Sequence, residues 1–177
     1  ASLRGGPFQV GGWLDIADWR LVLLDSVVRG RAGGRLSTDE LEFLESTLTS
    51  AGRRHCLVAL HHHPVPMSSR WLDEVGLENA DQFLAVIDRH PNVRGIVWGH
   101  VHQDLDTQRG AVRLLASPST CAQFQPGTAE FALDRRPPGY RILELCADGA
   151  IRTEVRWLDR FASRRGASES RSSSSAA

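Results

Sequence analysis

The chain has 177 residues, of which 41% are hydrophobic and 24% are charged, and its 21 basic residues balance 21 acidic ones. A chain of this length fits one domain, or one domain with a tail. Balanced charge argues against a nucleic-acid binder that works through bulk basicity. The sequence contains no run of about 18 apolar residues, so no transmembrane helix is expected.

The first half of the chain predicts an alternation of strands and helices, after a weakly patterned, Gly-rich segment over residues 1–18. Continuous apolar runs, typical of strands buried on both faces, predict three strands, at Arg20 to Val28, Cys56 to Leu60 and Gly95 to Trp98. Two helices are predicted between them, one from a capping box at Ser37 to Gly52 and one from near Asn79 to the residue before Pro91.

The second half predicts a β-meander. Its strands are expected at Val112 to Ala116, Glu130 to Leu133, Tyr140 to Cys146 and Ile151 to Trp157. Asp148-Gly149 is a hairpin signal between the last two. The fold class is therefore α/β, with one domain over residues 1–162. Residues 163–177 are rich in Ser and Arg and contain nothing to bury, which predicts a disordered tail.

Cysteine usage indicates a reducing compartment. Cys56, Cys121 and Cys146 are an odd number, and no two of them have the C-x-x-C spacing. We interpret them as reduced thiols of a cytoplasmic protein.

Five of the seven histidines form two clusters, and each cluster follows an apolar strand. His61-His62-His63 follows one strand and His100-Val101-His102 follows another. In open α/β sheets, ligands bind beyond the carboxyl ends of the strands, so both clusters are expected at one edge. In an extended backbone, residues two apart point to the same side, which would let His100 and His102 face one metal ion or two adjacent ions.

Not every histidine in this pattern points to a metal. A single histidine at a strand end is most often a polar cap on a buried strand, and only the pairing of two clusters favours a metal site. His55 and His90 lie at element boundaries and read as structural, and His63, beside Pro64, reads as a residue that shapes the loop. Imidazole suits Zn, Fe, Mn or Ni, so the residue types do not choose the metal.

The histidine motifs resemble those of a known enzyme family. Gly99-His100-Val101-His102 resembles the GHxH motif of the calcineurin-like metallophosphoesterases, and His61 to Pro66 resembles their earlier HH-P segment. The resemblance is closer to the class III cyclic-nucleotide phosphodiesterases, the branch that hydrolyses 3′,5′-cyclic AMP. The matching stretches are Leu23 to Ser26, Leu60 to Pro66, Trp71 to Asp73, Trp98 to Gln103, Ala116 to Cys121, Gln123-Phe124 and Pro138 to Arg141.

This resemblance implies a β-sandwich flanked by helices (αββα), a hydrolase with a binuclear metal centre, and conversion of cyclic AMP to 5′-AMP. It implies two divalent ions, of Fe, Mn or Zn, with His61 and His100 on one ion and His102 on the other. His102 would also lie near the substrate phosphate. His62 would support the ligands without being one, and Ser117 to Gln123 would either line the nucleotide pocket or shape the site.

The sequence departs from the family pattern in one respect. The family also has an Asp-x-His, a Gly-Asp-x-x-Asp and a Gly-Asn-His-Asp/Glu motif, and none of these occurs before His61. The chain, which begins with Ala1, therefore resembles the C-terminal portion of the enzyme, and no complete set of catalytic residues is expected in it. An isolated fragment of this kind is expected to be inactive, with Asp25 or Asp104 as the carboxylates that could substitute as ligands.

Three other functions remain open on the residues alone. The first is a metallophosphoesterase with another phosphoester substrate. The second is a metallo-β-lactamase-like hydrolase, whose HxHxDH signature matches from His100 to Asp104 and fails at Leu105. The third is a non-catalytic metal-binding module. An Asp-x-His encoded upstream would favour the enzyme, and an in-frame stop would favour the module.

Overall fold

Ten strands and three helices make up the part of the chain that the structure, a computed structural model, describes, residues 11–158. The strands are β1 Gly12–Ile16, β2 Trp19–Leu23, β3 His55–Leu60, β4 Val93–Trp98, β5 Asp106–Arg109, β6 Val112–Ala116, β7 Gln123–Phe124, β8 Leu133–Asp134, β9 Gly139–Leu145 and β10 Ile151–Trp157. The helices are α1 Thr38–Thr49, α2 Arg70–Asp73 and α3 Ala80–Asp88.

A six-stranded sheet, in the order β1-β2-β3-β4-β6-β5, forms the centre of the fold. Strands β2, β3, β4 and β6 are parallel, whereas β1 and β5 pair antiparallel at the two edges. Parallel strands need crossover connections, and α1 and α3 lie in the β2–β3 and β3–β4 crossovers. The carboxyl ends of β3 and β4 consequently meet at one edge of the sheet, as the sequence predicts.

Helices cover one face of this sheet. Ser37 caps α1, because its side-chain oxygen accepts a hydrogen bond of 3.1 Å from the Glu40 backbone N–H. Leu44 and Leu48 on α1 and Phe83 on α3 are buried in the same apolar cluster as the inward-facing strand residues. The two helices predicted from the sequence are therefore confirmed.

A two-stranded sheet, β9 with β10, covers the other face. Its Ile151 packs with Trp19, Leu57 and Leu115 of the central sheet in a second buried cluster. The hairpin predicted at Asp148-Gly149 is confirmed, since Gly149 has a φ of +84° and Asp148 Oδ1 accepts from the Ala150 N–H at 2.9 Å. The α/β class and the face-to-face sheets are confirmed, and within residues 11–158 the helices lie on one side only.

The predicted β-meander is wrong as a single unit. β6 returns to the central sheet beside β4, and β5 joins it there as a hairpin, while β7 with β8 and β9 with β10 form separate pairs. The strand expected at Glu130 to Leu133 is reduced to the two residues of β8, and the strand expected to reach Val28 ends at Leu23. Three further elements, β1, β5 and α2, were not predicted from the sequence.

The disordered tail predicted over residues 163–177 lies outside the described residues. In the described part of the chain, the helices are too short or too polar to cross a membrane.

Candidate metal centre

The two histidine clusters meet where β3 and β4 end. Leu60 and Trp98 are register partners at the carboxyl ends of these adjacent strands, so the segments that follow them start side by side. His61 Nε2 lies 3.2 Å from His100 Nδ1. The expectation that the two clusters share one edge is therefore confirmed.

A strained turn positions the side chains of the second histidine cluster, His100 and His102. His100 has a φ of +57° and His102 a φ of +49°, a left-handed conformation that costs non-glycine residues about 1–3 kcal/mol each. The Val101 N–H donates to the Gly99 carbonyl oxygen at 2.5 Å, which closes a γ-turn centred on His100. The extended backbone expected for this segment is wrong, yet the turn brings both imidazoles to one cavity.

His62 sits behind the cluster and supports it. Its ligand atoms lie within 4.8 Å of those of His61 and His100, but both of its nitrogens already have partners. Nε2 donates to the Ala32 carbonyl oxygen at 3.2 Å, so Nδ1 accepts from the Ser26 hydroxyl at 2.8 Å. The buried ring thereby ties the loop between β2 and α1 to the end of β3.

His63 packs against the candidate ligands instead of joining them. Its ring is buried and stacks on His100 with the centroids 5.7 Å apart. Neither ring nitrogen has a hydrogen-bond partner among residues 11–158, and Asp73 Oδ1 is 3.7 Å from Nε2. Burial lowers the pKa of His63 to about 4, although Asp73 opposes the shift.

His102 is held on two sides. Its Nδ1 donates to the Ala122 carbonyl oxygen at 2.8 Å, and its ring stacks on Phe124 with the centroids 4.1 Å apart and the planes 10° apart. Because a carbonyl oxygen only accepts, Nδ1 carries a proton in this contact, and Nε2 is the nitrogen that remains available as a ligand. A fixed tautomer of this kind is how metal-binding histidines are usually oriented.

The lowered pKa values of His61 and His100 favour the neutral form of the ring, which is the form that binds metal. Burial, followed by the neighbouring His62, His61 and His63, lowers the pKa of His100 to about 4. Desolvation and the neighbouring His102 also lower the pKa of His61. Metal ions compete with protons for these nitrogens, so neutral rings at pH 7 favour binding.

The donor atoms fit a divalent transition metal. Two nitrogens 3.2 Å apart, each about 2.1 Å from an ion as in zinc sites, subtend about 100° at that ion. This angle lies between those of octahedral and tetrahedral ligands. The separation of the two nitrogens is therefore compatible with His61 and His100 binding one ion together.

A cavity of about 370 Å³ opens in front of these rings. Its lining consists of His61, His100, His102, Ala32, Trp71, Leu72, Val75 and Phe124. Trp71 and Phe124 lie in stretches that resemble the family, but no role for either residue is predicted from the sequence. The signal that could have found them is the presence of aromatic residues in the segments that follow β3 and β6.

The other predicted residues lie around the site. Gln123 is fully buried and fixes the turn before it through hydrogen bonds to Ser119 and Pro137. Residues 117–123 thus shape the site and do not line the cavity. Asp104 is paired with Arg136, and Asp25 Oδ1 accepts from the Val27 N–H at 3.0 Å. In residues 11–158, the candidate ligand group contains imidazoles alone.

Comparison with known proteins shows close relatives. A 3′,5′-cyclic adenosine monophosphate phosphodiesterase CpdA from Pseudomonas aeruginosa is 48% identical over 146 residues, 82% of this chain and 54% of the relative. The protein of the same name from Escherichia coli K12 is 48% identical over 140 residues, 79% of this chain and 51% of the relative. A 3′,5′-cyclic-nucleotide phosphodiesterase from Nostoc is 41% identical over 138 residues, 78% of this chain and 52% of the relative.

The chain spans about half the length of the curated relatives it matches. No family model matches it. A solved dimetal phosphatase from Danio rerio, 19% identical, superposes with a TM-score of 0.46 over 62% of this chain and 35% of that chain. That likeness is too low to identify a fold.

Proposed function

The chain belongs to the family of the CpdA-type cyclic-nucleotide phosphodiesterases, of which it spans about half, and we propose that its histidines form part of the active site of such an enzyme. The proposed reaction is hydrolysis of 3′,5′-cyclic AMP to 5′-AMP. Water adds its oxygen to phosphorus, the bond from phosphorus to the 3′ oxygen breaks, and that oxygen takes up a proton.

One observation carries the proposal. His61 Nε2 and His100 Nδ1 converge to 3.2 Å at the ends of adjacent parallel strands, at the mouth of a cavity. Packing alone does not require two imidazole nitrogens to face each other there. The left-handed turn at His100 adds to this, since strain of that kind persists where the surroundings enforce it and clusters at functional sites.

The roles of the residues follow from their positions. His61 and His100 would hold one divalent ion of Mn, Fe or Zn, and His102 would hold a second ion beside the substrate phosphate. Bound ions would supply neutralisation of the phosphodiester charge and a lowered pKa for water. His62 would keep the loop at Ala32 in place, and the Ala122 carbonyl would keep His102 in the tautomer that exposes Nε2.

The three histidines would not complete a two-metal centre by themselves. Two divalent ions about 3.5 Å apart repel by about 20 kcal/mol at an effective dielectric constant near 20. A bridging carboxylate normally offsets such repulsion, and neutral imidazoles do not. We therefore infer that the 177 residues alone bind one ion and lack phosphodiesterase activity, and that the second ion needs carboxylates from the family's other motifs.

A reducing location is part of the same proposal. Cys56, Cys121 and Cys146 are all free in the structure. Unpaired thiols persist in the cytoplasm, where a cyclic-nucleotide phosphodiesterase would meet its substrate.

A chimera tests the proposal. The part of the Pseudomonas aeruginosa relative that this chain does not match would be joined to this chain, and hydrolysis of cyclic AMP would be followed with Mn²⁺ present. We expect 5′-AMP to form, and activity to disappear in the His100→Ala chimera. A folded chimera that binds Mn²⁺ and leaves cyclic AMP intact, while the unmodified relative hydrolyses it, would contradict the proposed substrate.

A second function is favoured by one observation, the absence of a carboxylate from the ligand group within residues 11–158. A metal-binding module without catalysis needs only the imidazoles. Under this alternative, the chimera would bind Mn²⁺ and hydrolyse neither cyclic AMP nor other phosphoesters such as bis(p-nitrophenyl) phosphate. Hydrolysis of the second compound alone would instead indicate a metallophosphoesterase with a different substrate.

A further inference from the structure

Three aromatic side chains form one group beside the candidate metal centre. Trp71 lies with its ring centroid 5.2 Å from those of both Phe124 and Phe131, and the two phenylalanine rings are 5.4 Å apart. All three pairs are steeply inclined, at 70–79°. These rings come from α2, from β7 and from the loop before β8, so the group is a tertiary feature and not a local one.

The group continues directly from the histidines. Trp71 and Phe124 line the same cavity as His61 and His100, and Phe124 stacks on His102. The indole is held in place, because Trp71 Nε1 donates to Thr128 Oγ1 at 3.3 Å. The cavity therefore has imidazoles at one end and a fixed aromatic wall beside them.

The three rings are more exposed to solvent than the side chains of a packed core. Phe131 is 59% exposed, so it gains little from burial, and Trp71 and Phe124 are each only half-buried. A contiguous exposed apolar group at the rim of a polar site is typical of a ligand-binding surface. Such a group offers ring surface to a molecule that enters the cavity.

The cavity limits what that molecule is. Its volume of about 370 Å³ lies in the range of small-molecule sites. Among the residues that the structure describes, no carboxylate, Lys or Arg lines it. A ligand that fits has an uncharged, flat ring against the aromatic wall and places its anionic group at the metal-binding end.

We propose that Trp71, with Phe124 and Phe131 beside it, is a stacking platform for the heteroaromatic base of a nucleotide whose phosphate faces His61, His100 and His102. The position of the phosphate rests on the proposed function, whereas the platform itself does not. Stacking of a base on an aromatic side chain contributes about 1–3 kcal/mol, which corresponds to about a 5- to 150-fold change in affinity.

Binding of adenosine to the full chain tests the platform without the phosphate or the metal. Dissociation constants would be measured by ligand-observed NMR for adenosine and for ribose, and, with Mn²⁺, for AMP and ribose 5-phosphate. We expect Trp71→Leu to weaken adenosine and AMP at least about fivefold, Trp71→Phe to restore part of the loss, and ribose 5-phosphate to bind all variants equally.

Two further variants guard against loss of folding. Phe131→Leu changes an exposed ring and is expected to weaken adenosine less than Trp71→Leu does. Leu14→Ala changes a residue that is similarly exposed, at 56%, on edge strand β1, and it is expected to leave adenosine binding unchanged.

Two results overturn the platform. One is adenosine binding no tighter than ribose, and the other is the same adenosine affinity in the wild-type, Trp71→Leu and Phe131→Leu chains. Either result leaves the proposed function standing if the chimera still hydrolyses cyclic AMP. Conversely, the chimera could lack activity while adenosine affinity still depends on Trp71. That pair of results would contradict the proposed function and support the platform.

Discussion

His62 fills the space that a side chain at residue 34 would occupy. A Cβ atom added to Gly34 would lie 2.1 Å from His62 Nδ1, far inside contact distance. The same ring is the one that hydrogen-bonds Ser26 and Ala32. Gly34 is therefore part of the arrangement that keeps the loop after β2 against the end of β3.

Gly34→Ala is expected to destabilise the fold, because the new methyl group must displace His62 or the loop and so break at least one of these hydrogen bonds. We expect a loss of about 1–3 kcal/mol in the free energy of unfolding, measured by urea denaturation. Gly33→Ala is the matched control, since a Cβ there meets its nearest atoms at 3.5 Å. Equal stability of the two variants would contradict the role of His62 in holding this loop.

The buried amide of Gln123 predicts a second stability effect. Its Oε1 accepts from the Ser119 N–H at 2.9 Å, and its Nε2 donates to the carbonyl oxygens of Ser119 and Pro137 at 2.7 and 3.0 Å. Gln123→Leu keeps the size and leaves these buried groups unpaired, which should cost about 2–4 kcal/mol of unfolding free energy. Gln108→Leu, on the exposed strand β5, should cost less than about 0.5 kcal/mol. If the Gln123→Leu and Gln108→Leu variants have the same free energy of unfolding, the hydrogen bonds of Gln123 do not stabilise the turn.

The buried ring of His63 predicts a dependence of stability on pH in the metal-free chain. Its pKa is about 4 in the folded state against the ordinary 6.5, so between these values the unfolded chain binds a proton that the folded chain does not. Above pH 6.5, His63 therefore does not lower the free energy of unfolding. Below that value, the free energy of unfolding decreases as the pH falls towards 4. His63→Leu should reduce the loss between pH 7 and pH 5 by about 2 kcal/mol, measured by urea denaturation at both values. An unchanged loss would mean that His63 does not cause it.

The position of the histidine clusters could be predicted from the sequence because it depends on local pattern. The apolar runs around Val58 and Ile96 identify strands buried on both faces, and the histidines follow each run directly. Parallel neighbours then place both clusters at one edge. The N-cap of α1 at Ser37 could be predicted for a similar reason, since capping depends only on the residues of the first helical turn.

The remaining features depend on contacts that no local pattern reports. The left-handed conformations of His100 and His102 could not be predicted, because glycine is the residue that usually marks such a conformation in a sequence. Strand β5 consists of four exposed residues and exists because β6 pairs with it across a turn at Gly110. The aromatic group joins Trp71 to Phe131, which lie 60 positions apart in the chain.

The most direct test of this account is a calorimetric titration of the chain with Mn²⁺. We expect one bound ion, and an affinity at least about 100-fold lower in both His61→Ala and His100→Ala. His90→Ala is the control, because His90 is bound to Glu45 at 3.0 Å and lies outside the cluster. Unchanged affinity in either ligand variant would contradict the claim that His61 and His100 share one metal ion.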